Sequence, residues 1–286
     1  MRITLRVLSV LAVIIFVVSG CKKFNNPTSP PAQPTVIIGT ATVSPTISAT
    51  FTITLTSTIT QTGTTTPTTT PTFTATQTIT PLYQSFQRGV SPDASYNGVS
   101  DAELWQNTAD SNYGGCDAYG AGAFPYATPV IIRSLVKYDV SSIGTGVYVV
   151  KSTLTVQKSY CLGTVNPLFY PLNDDFVEGT GCNTILPGTA TWNSRGPALW
   201  TTPGGDGDYQ LTPASGPLSI NCGFNSYTFS MDNSVVGGWI NSPAGNHGVI
   251  LIAGDEVTGN NVFRISSSEN TTPGNRPLLE IYYYRP

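Results

Sequence analysis

The chain has 286 residues, a formal net charge of −3, five cysteines, and only 10% charged residues. All sixteen acidic residues but only nine of the thirteen basic ones lie beyond position 81, which leaves that part of the chain at −7. A surface of that sign excludes nucleic acid as a partner, because such binding rests on Lys and Arg neutralising phosphates.

The first element is MRITLRVLSVLAVIIFVVSGCKK. Arg2 and Arg6 precede an uncharged apolar run, Val7 to Val18, which ends at the small residues Ser19 and Gly20. This order reads as a secretory signal over residues 1–20, and the run is too short for the roughly 20 apolar residues that a membrane span needs. Val18-Ser19-Gly20-Cys21 resembles the bacterial lipobox, which implies cleavage before Cys21 and acylation of that residue. Two or more acyl chains, at about 0.8 kcal/mol per buried CH₂, anchor a protein stably where one does not. Lys22 follows the cysteine in place of an inner-membrane-retaining Asp. The expected location is therefore the outer membrane or cell surface, with the domain outside the cell.

Residues 21–81 read as a linker. From Phe24 to Gln87 no residue is charged, and Thr, Pro and Ser dominate. Such sequence lacks the continuous apolar surface needed to offset chain ordering, so a disordered stalk is expected, a substrate for O-glycosylation. Its reach would lie anywhere from about 40 Å when coiled to about 170 Å when extended. Within it, ATFTITLTSTIT alternates Phe51, Ile53 and Leu55 with threonines, the period of a strand, and offers a route to self-association.

Residues 82–286 read as one domain. Its apolar runs are short and end at Gly, Asn, Pro or Asp: AELWQN, VIIRSLVKYDV, YVVKSTLTVQ, SYTFSM, HGVILIAG, NVFRISS and PLLEIYYY. In the second, Ile132, Val136, Tyr138 and Val140 share one face while Arg133, Lys137 and Asp139 mark the other, as in a strand with one face in a core. Only residues 232–240 suggest a helical turn, with Asp232, Asn233 or Ser234 as N-cap. Many strands and almost no helix predict an all-β fold, an antiparallel sandwich. Cys116, Cys161, Cys182 and Cys222 form an even set that reads as two disulfides in an exported protein, with three connectivities open.

Several stretches in this domain carry a family resemblance. They are DSNYGG (110–115), RSLVKYDVSSI (133–143), DDFVEGTG (174–181), ATWN (190–193), GGWI (237–240), NHGVILIA (246–253) and SSEN with RPLLEIYY (267–283). Together they resemble the DNRLRE-type domain, also called carbohydrate-binding module family 96, which is related to disaggregatase repeats. The resemblance implies a jelly-roll-like β-sandwich that binds polysaccharide without cutting it, with Trp192 and Trp239 in its framework. The family's characterised ligands include alginate. The net charge of −7 and the scattered Arg133, Lys137, Lys151 and Arg195 suit a neutral glycan better.

Candidate chemistry is sparse. Asp174, Asp175 and Glu178 fall within five positions, the residue type of a glycosidase carboxylate pair. The resemblance places Glu178 instead in a structural corner, where a carboxylate accepts backbone N–H groups. No catalytic residue is therefore assigned. The single histidine, His247, rules out a multi-histidine metal site and is expected to be structural. Asp206 and Asp208 alternate with glycine in LWTTPGGDGDY, a pattern that can wrap Ca²⁺, although the remaining ligands of an EF-hand loop are missing. Trp105, Tyr113, Tyr119, Trp200 and Tyr209 lie near turns and are the candidates to stack on a sugar's C–H face. The leading expectation is a lipid-anchored, non-catalytic polysaccharide-binding protein. The alternatives are an adhesion or surface-assembly protein and a polysaccharide lyase or hydrolase.

Overall fold

The computed structural model describes residues 80–285 in full, with the backbone of Ile14–Val17 and Val36–Gly39. Cys21 and nearly all of the expected signal peptide and linker lie outside the described residues. The chain divides into two units, Met1–Ile79 and Thr80–Pro286. In the first, β1 (Ile14–Val17) pairs antiparallel with β2 (Val36–Gly39).

The second unit is all-β. In chain order its strands are β3 (Leu82–Phe86), β4 (Val99–Trp105), β5 (Ser111–Asn112), β6 (Ala118–Phe124), β7 (Val130–Tyr138), β8 (Tyr148–Leu162), β9 (Pro167–Pro171), β10 (Thr184–Ile185), β11 (Ser226–Ser230), β12 (Val249–Ala253), β13 (Asn261–Ser266) and β14 (Leu278–Tyr284). Among the described residues there is one α-helix, α1 (Asn233–Asn241). Ten strands form one antiparallel sheet in the order β3-β14-β8-β13-β6-β7-β12-β9, with β11 added to β8 and β4 added to β7. This sheet curls strongly into a sandwich.

The curl runs through β8, whose 15 residues serve both layers. Its first part pairs with β14 and β11, and its last residues, Lys158 to Leu162, pair with β13. Register shifts at Arg264/Ile265 and Tyr282/Tyr283 mark where its partners bend with it, as bulges do by adding twist. Alternation sets the inner face: Ser152, Leu154 and Val156 are buried, while Lys151, Thr153 and Thr155 point outward. The main core between the layers includes Phe86, Phe169, Phe229 and Phe263. Phe169 and Phe229 meet edge to face at 5.0 Å, a favoured aromatic geometry.

A second core lies on the other face of β4, β7 and β12, where Leu104, Leu135 and Ile250 pack under Trp192 and Trp200. This corrects the one-faced reading of β7. Arg133 does not mark a solvent face: it is 6% exposed, ion-paired to Asp206 and Glu256, and lies over the Trp192 ring at 5.6 Å. Both faces of β7 are covered because the loops of 172–210 fold back over the sheet, which periodicity within β7 cannot reveal.

The helical turn is α1, capped by Asp232, whose Oδ1 accepts the N–H groups of Ser234 (2.8 Å) and Val235 (3.2 Å). Val236, Trp239 and Ile240 are buried at the i, i+3, i+4 spacing of one helix face. Trp192 and Trp239 are both core residues, as the resemblance implied. The disulfides are Cys116–Cys182 and Cys161–Cys222, with Cα separations of 4.9 and 5.5 Å.

Candidate functional site

One solvent-facing strip of the sheet collects aromatic rings. Trp105, at the end of β4, stacks on Tyr113 at 5.7 Å and on Phe124, at the end of β6, at 5.1 Å. Phe124 in turn contacts Tyr160 of β8 at 5.9 Å and Tyr126 at 6.2 Å. Trp105, Tyr113 and Phe124 are half-buried, whereas Tyr126 and Tyr160 are 56% and 43% exposed.

The row is held from beneath by a buried ion pair. Glu103, fully buried on β4, accepts the Trp105 indole N–H at 2.6 Å and Arg264 Nε and Nη2 at 2.9 and 2.6 Å. Arg264 reaches it because β13 lies very close to β6. A Cβ on Gly120 would sit 2.1 Å from the Phe263 carbonyl oxygen, so only glycine permits that approach. The guanidinium also lies 5.8 Å from the Trp105 ring, within range of a cation–π contact. Burial raises the Glu103 carboxyl above its ordinary value, against the opposing pull of Arg264. Tyr113 is fixed at its hydroxyl, which bonds Thr108 at 2.7 Å and Asn183 at 2.9 Å, and burial raises its pKa. Trp105 and Tyr113 are thus oriented in advance by polar partners, and Phe124 packs on Trp105.

Of the five aromatic candidates, the structure brings Trp105 and Tyr113 together. Tyr119 is 1% exposed in the main core, and Trp200 is 5% exposed in the second, with its indole N–H given to Thr191 O at 2.9 Å. Tyr209 leans on Tyr170 beside that second core at 5.2 Å. None of these three joins the row. The row's other members, Phe124, Tyr126 and Tyr160, were missed. Phe124 and Tyr126 flank Pro125 at a strand end, the same turn-proximal signal that picked Trp105, so they were findable. Tyr160 lies beyond the run YVVKSTLTVQ, in the part of β8 that the structure extends to Leu162.

The acidic candidates separate. Asp206 binds Arg133 at 2.8 Å, and Asp208 accepts both the N–H and the hydroxyl of Thr201, at 2.7 and 2.9 Å, so both carboxylates serve protein donors. Asp174 faces Arg195 at 3.3 Å. Asp175 meets Lys137 at 2.6 Å and His247 at 3.3 Å. Burial would raise the Asp175 carboxyl, but hydrogen bonds from Lys137 and His247 hold it below the usual value. Glu178 turns inward, and its Oε1 accepts the Asp101 N–H at 2.7 Å.

Glu178 belongs to a corner organised by Asn112, which is fully buried. The Asn112 amide donates to Glu178 O at 2.6 Å and to Ala190 O at 2.9 Å, while its oxygen accepts Gly181 N–H at 2.8 Å. A Cβ at Gly114 would lie 2.1 Å from Glu178 O, so the two loops pass backbone to backbone. Three of the stretches that carry the resemblance, DSNYGG, DDFVEGTG and ATWN, meet at this one side chain. A cleft of about 350 Å³ beside α1 is lined by Leu172, Gln210 and Trp239, but Trp239 is only 5% exposed and offers no open ring face there. The chain matches no protein-family model and no curated protein.

Proposed function

We propose that this is an exported, lipid-anchored protein whose β-domain holds a polysaccharide at the aromatic row without cleaving it. The observation that carries the reading is the run of Tyr113, Trp105, Phe124, Tyr126 and Tyr160 on an outer sheet face, fixed at its base by Glu103. Rings ordered before binding lose little entropy when a sugar arrives, which is how modest contacts give usable affinity. Arg264, the cation over Trp105, is paired with Glu103, so a neutral glycan fits better than a polyanion. Two disulfides suit an oxidising compartment, in line with the signal sequence and Cys21.

Affinity electrophoresis of the full chain against neutral and acidic polysaccharides tests this. A neutral glycan should retard the protein, and Tyr160→Ala with Tyr126→Ala should reduce retardation at least tenfold while the fold stays cooperative and Tm falls by no more than about 5 °C, since both rings are about half exposed and lose only their contacts to Phe124. Equal retardation of the variants, or retardation by acidic glycans alone, would defeat the assignment. A second reading, surface assembly through protein contacts, draws on edge strand β3, where Leu82 and Tyr83 are each 50% exposed and a partner strand could add. Concentration-dependent sedimentation without glycan retardation would favour it.

A further inference from the structure

A second cluster, apart from the aromatic row, has a different chemistry. Asp101 of β4, Glu178 of the Asn112 corner and Glu269, three residues past β13, each place a carboxylate oxygen so that all three lie within 4.8 Å of one another. Oxygens that share one Ca²⁺ at about 2.3–2.6 Å are at most about 5 Å apart, so the spacing is that of a common ion. Asp101 is 1% exposed. Its Oδ2 accepts Ser268 N–H at 2.8 Å, and Glu178 Oε1 accepts Asp101 N–H, which aims both carboxylates from the backbone. One guanidinium, Arg88, pairs with Glu269. With all three ionised, three carboxylates against one cation would carry two uncompensated negative charges where solvent is scarce.

The independent sign of a missing partner is a pair of hydroxyls. Tyr119 and Tyr138 are each 1% exposed, and neither hydroxyl has a hydrogen-bond partner among the described residues. Asp101 and Tyr138 stand on paired strands, with Val99 opposite Tyr138 and Asp101 opposite Val136, so both side chains project from the same sheet face; burial, followed by Asp101, raises the Tyr119 hydroxyl. Buried hydroxyls are normally satisfied, by protein or by ordered water. Burial, followed by Glu269 and Glu178, drives the Asp101 carboxyl well above its ordinary value, and burial pushes Glu178 up to about 7. Without a further cation the cluster therefore favours holding a proton, which a divalent ion at the same oxygens would displace.

We propose that Asp101, Glu178 and Glu269 bind a single Ca²⁺ whose coordinated water reaches the Tyr119 and Tyr138 hydroxyls. An all-oxygen set selects a hard divalent cation, and two positive charges cancel the excess. The ion ties together β4, the corner that carries Glu178 and the segment after β13, which are far apart in sequence. Its role is to brace the fold, and it is independent of the glycan reading.

The test uses the full chain, stripped with chelator and then titrated with Tb³⁺, Ca²⁺ or Mg²⁺. Tyrosine-sensitised Tb³⁺ emission should appear and be displaced by Ca²⁺. Saturation at about 100 Kd should raise Tm by about 5–10 °C in a domain of this size. Glu178→Gln, which keeps the acceptor for Asp101 N–H, and Glu269→Gln should each abolish emission and shift. Asp206→Asn should leave both unchanged, which separates this cluster from the glycine-rich loop. Absence of emission together with equal Tm in Ca²⁺ and chelator would overturn the site. So would a Ca²⁺ shift that survives in either folded variant, and a larger shift with Mg²⁺ would overturn the choice of ion.

Discussion

Replacing Arg264 with Met probes the support beneath the aromatic row. The substitution preserves the apolar stem and removes two of the hydrogen bonds that Glu103 accepts, at 2.9 and 2.6 Å, leaving that of Trp105 at 2.6 Å. Glu103 is fully buried, so its charge has no access to water. Breaking such a pair from one side costs about 3–5 kcal/mol, and losing the contact over Trp105 adds about 0.5–1 kcal/mol. For a domain of about 200 residues this lowers Tm by roughly 7–24 °C. The pH dependence fixes the cause. Burial raises the Glu103 carboxyl above its ordinary 4.5, so its contribution to stability is greatest below 4.5 and falls as pH rises through the folded value. Removing Arg264 raises that folded value further, and the gap between variant and parent should therefore widen from pH 5 to pH 8. The double variant Glu103→Gln/Arg264→Met, which buries no charge, should recover part of the loss. Thermal melts over this pH range, read by near-UV circular dichroism, provide the assay. A loss below about 1 kcal/mol, or one independent of pH, would refute the view that this ion pair carries the row.

Three further outcomes follow from other elements. Cys161→Ser with Cys222→Ser opens a cross-link between residues 61 apart, worth about 4 kcal/mol in the chain-entropy account, and should lower the urea midpoint accordingly. Asp232→Ala removes the cap of α1 and should cost about 1 kcal/mol at pH 7. The Ser234 hydroxyl, followed by the Val235 and Ser234 N–H groups, lowers the Asp232 carboxyl from 3.8. Its contribution is thus present above pH 3.8 and disappears as pH falls through the lower folded value, where parent and variant should converge. Asn112→Ala strands Glu178 O, Ala190 O and Gly181 N–H in the buried corner, and at about 1–3 kcal/mol per unmet group it should cost about 3 kcal/mol or more by denaturant titration.

How much of this was legible in the chain depends on whether the cause is local. The strand runs, Asp232 as a cap and the pairing potential of an even cysteine set each express forces that act over a few residues or a simple count. The positions of the aromatic candidates could be read near turns, yet whether a ring faces water depends on what folds over it. Tyr119 and Trp200 looked like Trp105 in sequence and ended in cores. Glu103 and Arg264, 161 positions apart, carried no signal as a pair, because each alone reads as the outward residue of an ordinary strand. The carboxylates of 174–178 stand adjacent in the chain and scatter in space, while Asp101, Glu178 and Glu269 are distant in the chain and converge.

By itself, then, the sequence determined the all-β class, since a period of two, frequent turn residues and the near absence of helical pattern are properties of short windows. Only the tertiary structure decided the disulfide partners, the second core over β7, the row of rings and the meeting of three acids. The physical reason is that burial and charge proximity are set by contacts between strands that the sheet order brings together, and that order is not written in any one of them.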